Sequence, residues 1–322
     1  MGAPSSGTGV IALCGAAWLS LLPAPAFSQV SANNSPAEAR QVEEIVVTAR
    51  RSGVPVWRVT GPTTTLIIVG GIEEVSRDTK WDPASLTSAL KMADRVMFPQ
   101  EEEFKASPVA MIGYLVRLAR MARLPKGQSL QNMMTPQQFQ RLVALRDKGV
   151  LKKGFERTHP LHLALALDDV IDGKGYGVNA TEYAMRTVKK YRLKQVPIPR
   201  RSIKQPINAV FKSRPKAHIP CLLGFVSLME AGGAQVVKAR SDAWAQRRVP
   251  EVVSSPATRV FSACSLDEYL ESQPDWRGAA RRLMSQPQVT VAVFDLASVA
   301  QPGGLLDEFA AKGFEISGPA WR

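Results

Sequence analysis

Between a Gly61-Pro62 turn and a Gly70-Gly71 pair lies a short stretch that ends in four consecutive apolar residues, Leu66-Ile67-Ile68-Val69. Successive strand side chains point to opposite faces, so an apolar run without alternation needs cover on both sides. Thr64 to Val69 is therefore expected to be a central strand with other layers packed over it. Val56-Trp57-Arg58-Val59 reads as a second strand on the other side of the turn. A helix is expected to open at Asp82-Pro83, with Asp as N-cap, Pro at the first helical position, and Leu86, Ala89, Leu90 and Ala93 as its buried stripe. Val96-Met97-Phe98 reads as a third strand. The chain closes in the same style. Val289 to Phe294 is a strand, Asp295-Leu296-Ala297-Ser298 begins a loop, and a helix with Leu305, Leu306 and Phe309 inward ends at Gly313.

The middle of the sequence is mostly helical. Met111 to Arg123 is amphipathic, with Ile112, Leu115, Val116 and Ala119 expected inward and Arg117, Arg120 and Arg123 on the other side. Thr135-x-x-Gln138 has capping-box spacing ahead of Phe139, Leu142, Val143 and Arg146, and Asn179-x-x-Glu182 starts another helix. Val196 to Pro199 returns the chain to extended structure. Together these elements describe an α/β (α+β) chain, a central mixed sheet flanked by helices with a largely helical middle region. Hydrophobic residues make up 45% of the 322 residues, enough for a substantial core.

Residues 1–28 contain no Lys, Arg, Asp or Glu. Val10 to Leu22 is an apolar h-region, broken by Pro23, and Ala26-Phe27-Ser28 offers small residues for cleavage before Gln29. This is read as a secretory signal peptide whose n-region carries only the terminal amine. Cys14 after Leu13 is a poor lipobox, and no later segment is long and apolar enough to span a bilayer. The mature chain is expected to be soluble, in the periplasm. Cleavage leaves Cys221 and Cys264, whose pairing stays open between a disulfide and two separate thiols. Residues 29–54 read as a polar tether, and 55–322 as the folded domain. Within the tether, Val42 to Arg51 resembles a TonB box, a segment suited to strand addition on a TonB-type partner.

The net charge of +13 favours acidic partners, either anionic lipid or a glycan of the envelope. No Lys/Arg-rich run marks a nucleic-acid patch, so nucleic acid is not an expected partner. His159-Pro160-Leu161-His162 has the look of a metal pair, with Asp168, Asp169 and Asp172 downstream, but Pro160 argues against a shared helical face. Gly173 to Gly177 lacks the ending of a P-loop, and no serine sits in Gly-x-Ser-x-Gly.

The ordered set of segments resembles the TraB/GumN family over about residues 55–318. It includes the opening Val56 to Val59 strand, Trp81-Asp82-Pro83 with Ala93-Asp94, and Leu124 to Leu130 followed by Thr135-Pro136. Arg240 with Trp244, and Pro302-x-Gly304-Leu305-Leu306 through Gly313-Phe314, complete it. The resemblance implies a metal-dependent hydrolase-like site built on two Gly-x-x-His motifs, each just past a strand, where ligands converge in the crevice of an α/β sheet. Here the first motif is Gly70-Gly71-Ile72-Glu73, with Glu in place of His. The second is Asp295-Leu296-Ala297-Ser298, with Asp for Gly and Ser for His. The family's other acids fall near Pro99 (Glu101 being a substitute), Asn179 and Arg200, and its Asn after Arg240 is Ser241.

Imidazole and carboxylate ligands are thus replaced by groups that hold divalent ions poorly. Gly70, Glu73, Asp295, Ser298 and Arg240 are the vestiges of the site, with no cofactor expected and no catalytic role assigned. Two alternatives stand beside this expectation of a binding protein in the cell envelope. Glu73, Glu74 and Asp295 form a rebuilt carboxylate site for Mg²⁺ or Mn²⁺ in a working hydrolase; or the basic surface holds anionic lipid or glycan.

Overall fold

The structure, a computed structural model, describes residues 53–98, 102–103, 107–173, 175–196, 201–202, 204–264 and 276–322. The expected leader, all but the last two residues of the expected tether at 29–54, and its Val42 to Arg51 segment lie outside the described residues. Val54 is already buried and its carbonyl accepts from Arg247 Nε at 3.1 Å, so the folded part takes in residues just ahead of Pro55.

β1 (Val56–Thr60) and β2 (Thr65–Gly71) form an antiparallel hairpin, closed where Gly61 N donates to Thr64 O. α1 (Ala84–Met92), β3 (Arg95–Met97) and the two-residue β4 (Glu102–Glu103) follow. The helical middle comprises α2 (Pro108–Met121), α3 (Leu130–Met133), α4 (Pro136–Asp147), α5 (Pro160–Asp172) and α6 (Ala180–Tyr191). After β5 (Arg201–Ser202), which pairs with β4, come α7 (Lys204–Lys212), α8 (Ile219–Glu230) and α9 (Ala234–Ala245). Then follow α10 (Val249–Ser254), α11 (Pro256–Ala263) and α12 (Trp276–Leu283). The chain closes with β6 (Val289–Asp295), α13 (Leu296–Ala300), α14 (Leu305–Ala311) and β7 (Glu315–Ser317).

The main sheet has the order β3-β6-β2-β1-β7. β6 lies between β3 and β2 and runs parallel to both, while β1 runs antiparallel to β2 and β7, so the sheet is mixed as expected. The central strand, β2, is the apolar run of the sequence, and β6 beside it is apolar but for Thr290. Leu66 to Gly71 and Thr290 to Phe294 are buried throughout, as strands covered on both faces must be. Around the sheet lies a core containing Trp57, Ile68, Trp244, Phe294 and Phe309. A second core, with Leu142, Leu167, Leu222, Phe225 and Val237, is made by the middle helices and the segments that join them.

Local signals place most element ends. Thr135 and Gln138 form the reciprocal capping box, and Asn179 Oδ1 accepts from Glu182 N at 2.9 Å. α1 begins one residue later than the Asp82-Pro83 pattern implies, yet Asp82 Oδ1 still accepts from Ala84 N at 2.8 Å. After β6 there is no open loop: Asp295 is both the last strand residue and the N-cap of α13.

α2 overturns the expectation that Ile112, Leu115, Val116 and Ala119 point inward. None of its residues is buried, and Ile112 and Leu115 are 62% and 58% exposed. Periodicity identifies an apolar stripe but not what covers it, and here Tyr114, stacked on Phe211 at 6.1 Å, faces the protein instead. Among the described residues no single helix is long and apolar enough to cross a membrane. The bent pair Pro215–Glu230 with Ala234–Ala245 passes on length and composition, but much of it forms the second core.

Candidate functional site

The two strand ends that precede the motif positions lie side by side. In the parallel pairing of β2 with β6, Gly71 stands opposite Asp295, so both strands deliver their following residues to the same edge of the sheet. Gly70 is required there by close approach, since a Cβ would lie 2.5 Å from Leu296 Cδ1 and 3.0 Å from Trp57. Its carbonyl accepts from Trp244 Nε1 at 2.8 Å, which fastens α9 to the strand end. The N-terminus of α6 closes the third side. Asn179 caps it and also donates from Nδ2 to the Glu73 carbonyl at 3.4 Å.

Much of what stands at this edge is engaged in holding the fold. Asp295 is exposed, and its Oδ2 accepts from Ser298 N at 2.8 Å, satisfying an amide that the first turn of α13 leaves open. Ser298 is therefore a first-turn residue of α13. Glu73 is exposed, and its carbonyl also accepts from Val75 N at 3.0 Å. Glu74 turns the other way, to Arg240. The guanidinium of Arg240 is buried: Nη1 lies 3.1 Å from Glu74 Oε2 and 3.3 Å from the Glu74 carbonyl. Nε donates to Thr258 Oγ1 at 2.9 Å, and the Thr258 hydroxyl in turn donates to Val252 O. The ring of Phe261 lies beneath the cation at 5.2 Å. Ser241, fully buried, accepts from Ser76 N and donates to Val237 O, so it too braces α9 against the segment after β2.

Asp168, noted in the sequence only as an acid downstream of the histidines, continues this network. Tyr176 donates to Asp168 Oδ1 at 2.7 Å and meets Phe261 edge to face. Burial raises the Asp168 carboxyl above the usual carboxylate range, the Tyr176 hydrogen bond opposes that, and the charges of Glu74, Asp172 and Asp169 add to the rise. The Tyr176 hydroxyl is raised by burial and by its bond to Asp168. A buried arginine demands a carboxylate, and that chemical need was the one signal for the Glu74–Arg240 pair.

Glu74 is engaged with Arg240 and Asp295 with an amide. Among the described residues no three His, Cys, Asp or Glu side chains are grouped so as to share an ion. The donor set therefore does not fit the metal that the family resemblance implies. Pro99, Glu101 and Arg200 lie outside the described residues. The histidines stand elsewhere, at the helical core. His159 caps α5, its Nδ1 accepting from Leu161 N at 3.3 Å, and its ring rests on His218 at 5.3 Å. His218 Nε2 is 2.6 Å from Ser213 Oγ, and His162 is exposed.

Burial, then the charges of His218 and His162, push His159 down to about 4. An unfolded imidazole titrates near 6.5, so between these values the unfolded chain binds a proton that the folded chain refuses. Stability is then full above pH ~6.5 and falls by about 3 kcal/mol as pH drops to about 4. His159→Asn keeps a capping acceptor and should remove that slope, as urea titrations at pH 7.5 and 4.5 would read.

A family model described as the TraB/PrgY/gumN family matches residues 55–318. No curated protein and no solved structure matches the chain. The segments that carried the resemblance fall on the sheet hairpin, on α1, on the helical middle, on α9 and on the closing α14. By the match over most of its length, the chain belongs to the TraB/PrgY/gumN family.

Proposed function

We propose that this chain is an exported member of its family that works in the cell envelope by binding, with the inherited metal chemistry lost. The observation that carries the proposal is the Glu74–Arg240 pair. It commits to the fold one of the three carboxylates that a rebuilt oxygen site would need. Asp295, as the N-cap of α13, is partly committed as well. A Mg²⁺ or Mn²⁺ hydrolase, the rival from the enzyme class, requires Glu74 to leave a buried cation behind. Export to the periplasm rests on the leader at 1–28, and a Cys221–Cys264 disulfide suits an oxidising space. The Val42 to Arg51 segment is proposed as a docking strand for a TonB-type protein.

The test is linkage between metal and folding. Purified protein is expected to carry no stoichiometric transition metal, and its melting temperature should not respond to millimolar Mn²⁺, in wild type or Glu73→Ala alike. Glu73→His combined with Ser298→His is expected to remain metal-free, because the acidic partners are gone as well. An Mn²⁺-dependent rise in melting temperature that disappears in Glu73→Ala would overturn the proposal and establish the carboxylate site.

A further inference from the structure

α2 carries an apolar stripe turned away from the protein. Val109, Ile112, Leu115 and Val116 recur at helical spacing and are exposed by 79, 62, 58 and 43%. Arg117 and Arg120 flank the stripe, also exposed. The C-terminal end of α2 is tied into the wall of a cavity. Ala122 O accepts from His159 N, Leu124 N donates to Arg157 O, and Arg123 bridges to Thr158. That cavity has a volume of about 720 Å³, an apolar floor including Leu151, Phe155 and Leu163, and a rim of Arg123, Lys152, Lys153 and Arg157. Asp169 is the single acid in its lining. Among the described residues, none of Arg117, Arg120, Arg123, Lys152, Lys153 or Arg157 is in an ion pair with a carboxylate.

We infer that α2 and the cationic cavity at its end form one binding face for an anionic phospholipid surface. α2 lies in the plane of the interface with its stripe toward the acyl chains, and the rim cations take phosphate headgroups. The inference rests on the binding role proposed above and gives that role its ligand. Chemistry selects this occupant. A soluble polyanionic glycan matches the charge but leaves the apolar stripe in water. A second copy docked through α2 covers the stripe but brings Arg117 and Arg120 against their own kind. An anionic lipid surface satisfies both halves, and the shared connection at Ala122 to Leu124 holds them together.

The full mature chain is incubated with vesicles of phosphatidylcholine alone or mixed with phosphatidylglycerol, then sedimented. Wild type should partition onto phosphatidylglycerol vesicles, weakly onto phosphatidylcholine, and less as salt rises. Lys152→Ala with Lys153→Ala and Arg157→Ala should weaken partitioning by about 100-fold. Ile112→Asp with Leu115→Asp should weaken it by at least about tenfold. Both sets change exposed side chains, so unchanged far-ultraviolet dichroism and melting should accompany the loss. Equal binding to both vesicle types, or wild-type binding by either variant, overturns the inference. So does an Ile112/Leu115 variant that changes oligomeric state, or a heparin-bound protein that ignores vesicles. None of these failures alters the Mn²⁺ response, so the proposed loss of metal chemistry stands or falls separately.

Discussion

Cys221→Ser combined with Cys264→Ser is expected to cost about 4 kcal/mol of unfolding free energy. The bridge joins the first turn of α8 to the residue that ends α11, across a sequence separation of 43 and a Cα–Cα distance of 5.2 Å. Closing a loop of that size in the unfolded chain removes conformational entropy worth about 4 kcal/mol. The helices are already drawn close: at Gly224 a Cβ would stand only 3.3 Å from Val260 Cγ2. The folded state thus holds the two cysteines together at little further cost. Urea unfolding with an unchanged slope and a lower midpoint is the expected signature, and a reducing agent should move wild type onto the curve of the double variant. A loss under about 1 kcal/mol, with no response of wild type to reductant, would mean that the thiols stay separate. The effect bears on compartment too. A helical core that leans on this bond is suited to an oxidising space, which is where the leader at 1–28 is proposed to send it.

Much of the fold was legible because its signals are local. The apolar run at Leu66 to Val69 became the central strand, and the mostly apolar Val289 to Phe294 the strand beside it. The capping chemistry at Thr135, Asn179 and Gly313 fixed helix ends within two residues. What was not legible depends on distant partners. Nothing near β6 tells that it inserts between β2 and β3, and nothing within α2 tells that its stripe stays uncovered. The same holds at the candidate site. The resemblance alone puts the family's imidazole positions at Glu73 and Ser298, whereas the partners that hold this edge come from residues far along the chain. Glu74 finds Arg240 at a separation of 166 residues, and Trp244 finds the Gly70 carbonyl at 174. Asp295 is the exception. Its partner is local, the backbone amide of Ser298 three residues on, although the sequence there reads as the start of a loop.

Glu74→Ala is expected to cost about 3–5 kcal/mol, because it strands a buried cation. Arg240 has a side chain only 4% exposed, against 21% for Glu74, so the two ends of the pair are not equivalent. Without Glu74 the guanidinium keeps Thr258, the backbone carbonyl and the face of Phe261, but no opposing charge. Without Arg240 the more exposed carboxylate can turn to water, so Arg240→Met should cost less than Glu74→Ala. The double variant Glu74→Leu with Arg240→Met should recover most of the loss, since well-packed apolar groups often replace a buried ion pair at little cost. Chemical denaturation of the three variants reads all of these differences. A metal ligand predicts the opposite sign. A carboxylate held among other carboxylates for an absent ion repels them, and its removal stabilises the metal-free protein. A neutral or stabilising Glu74→Ala would therefore return Glu74 to the metal site. A loss of several kcal/mol that Arg240→Met rescues places it in the fold, at the joint where the sheet edge meets the helical core.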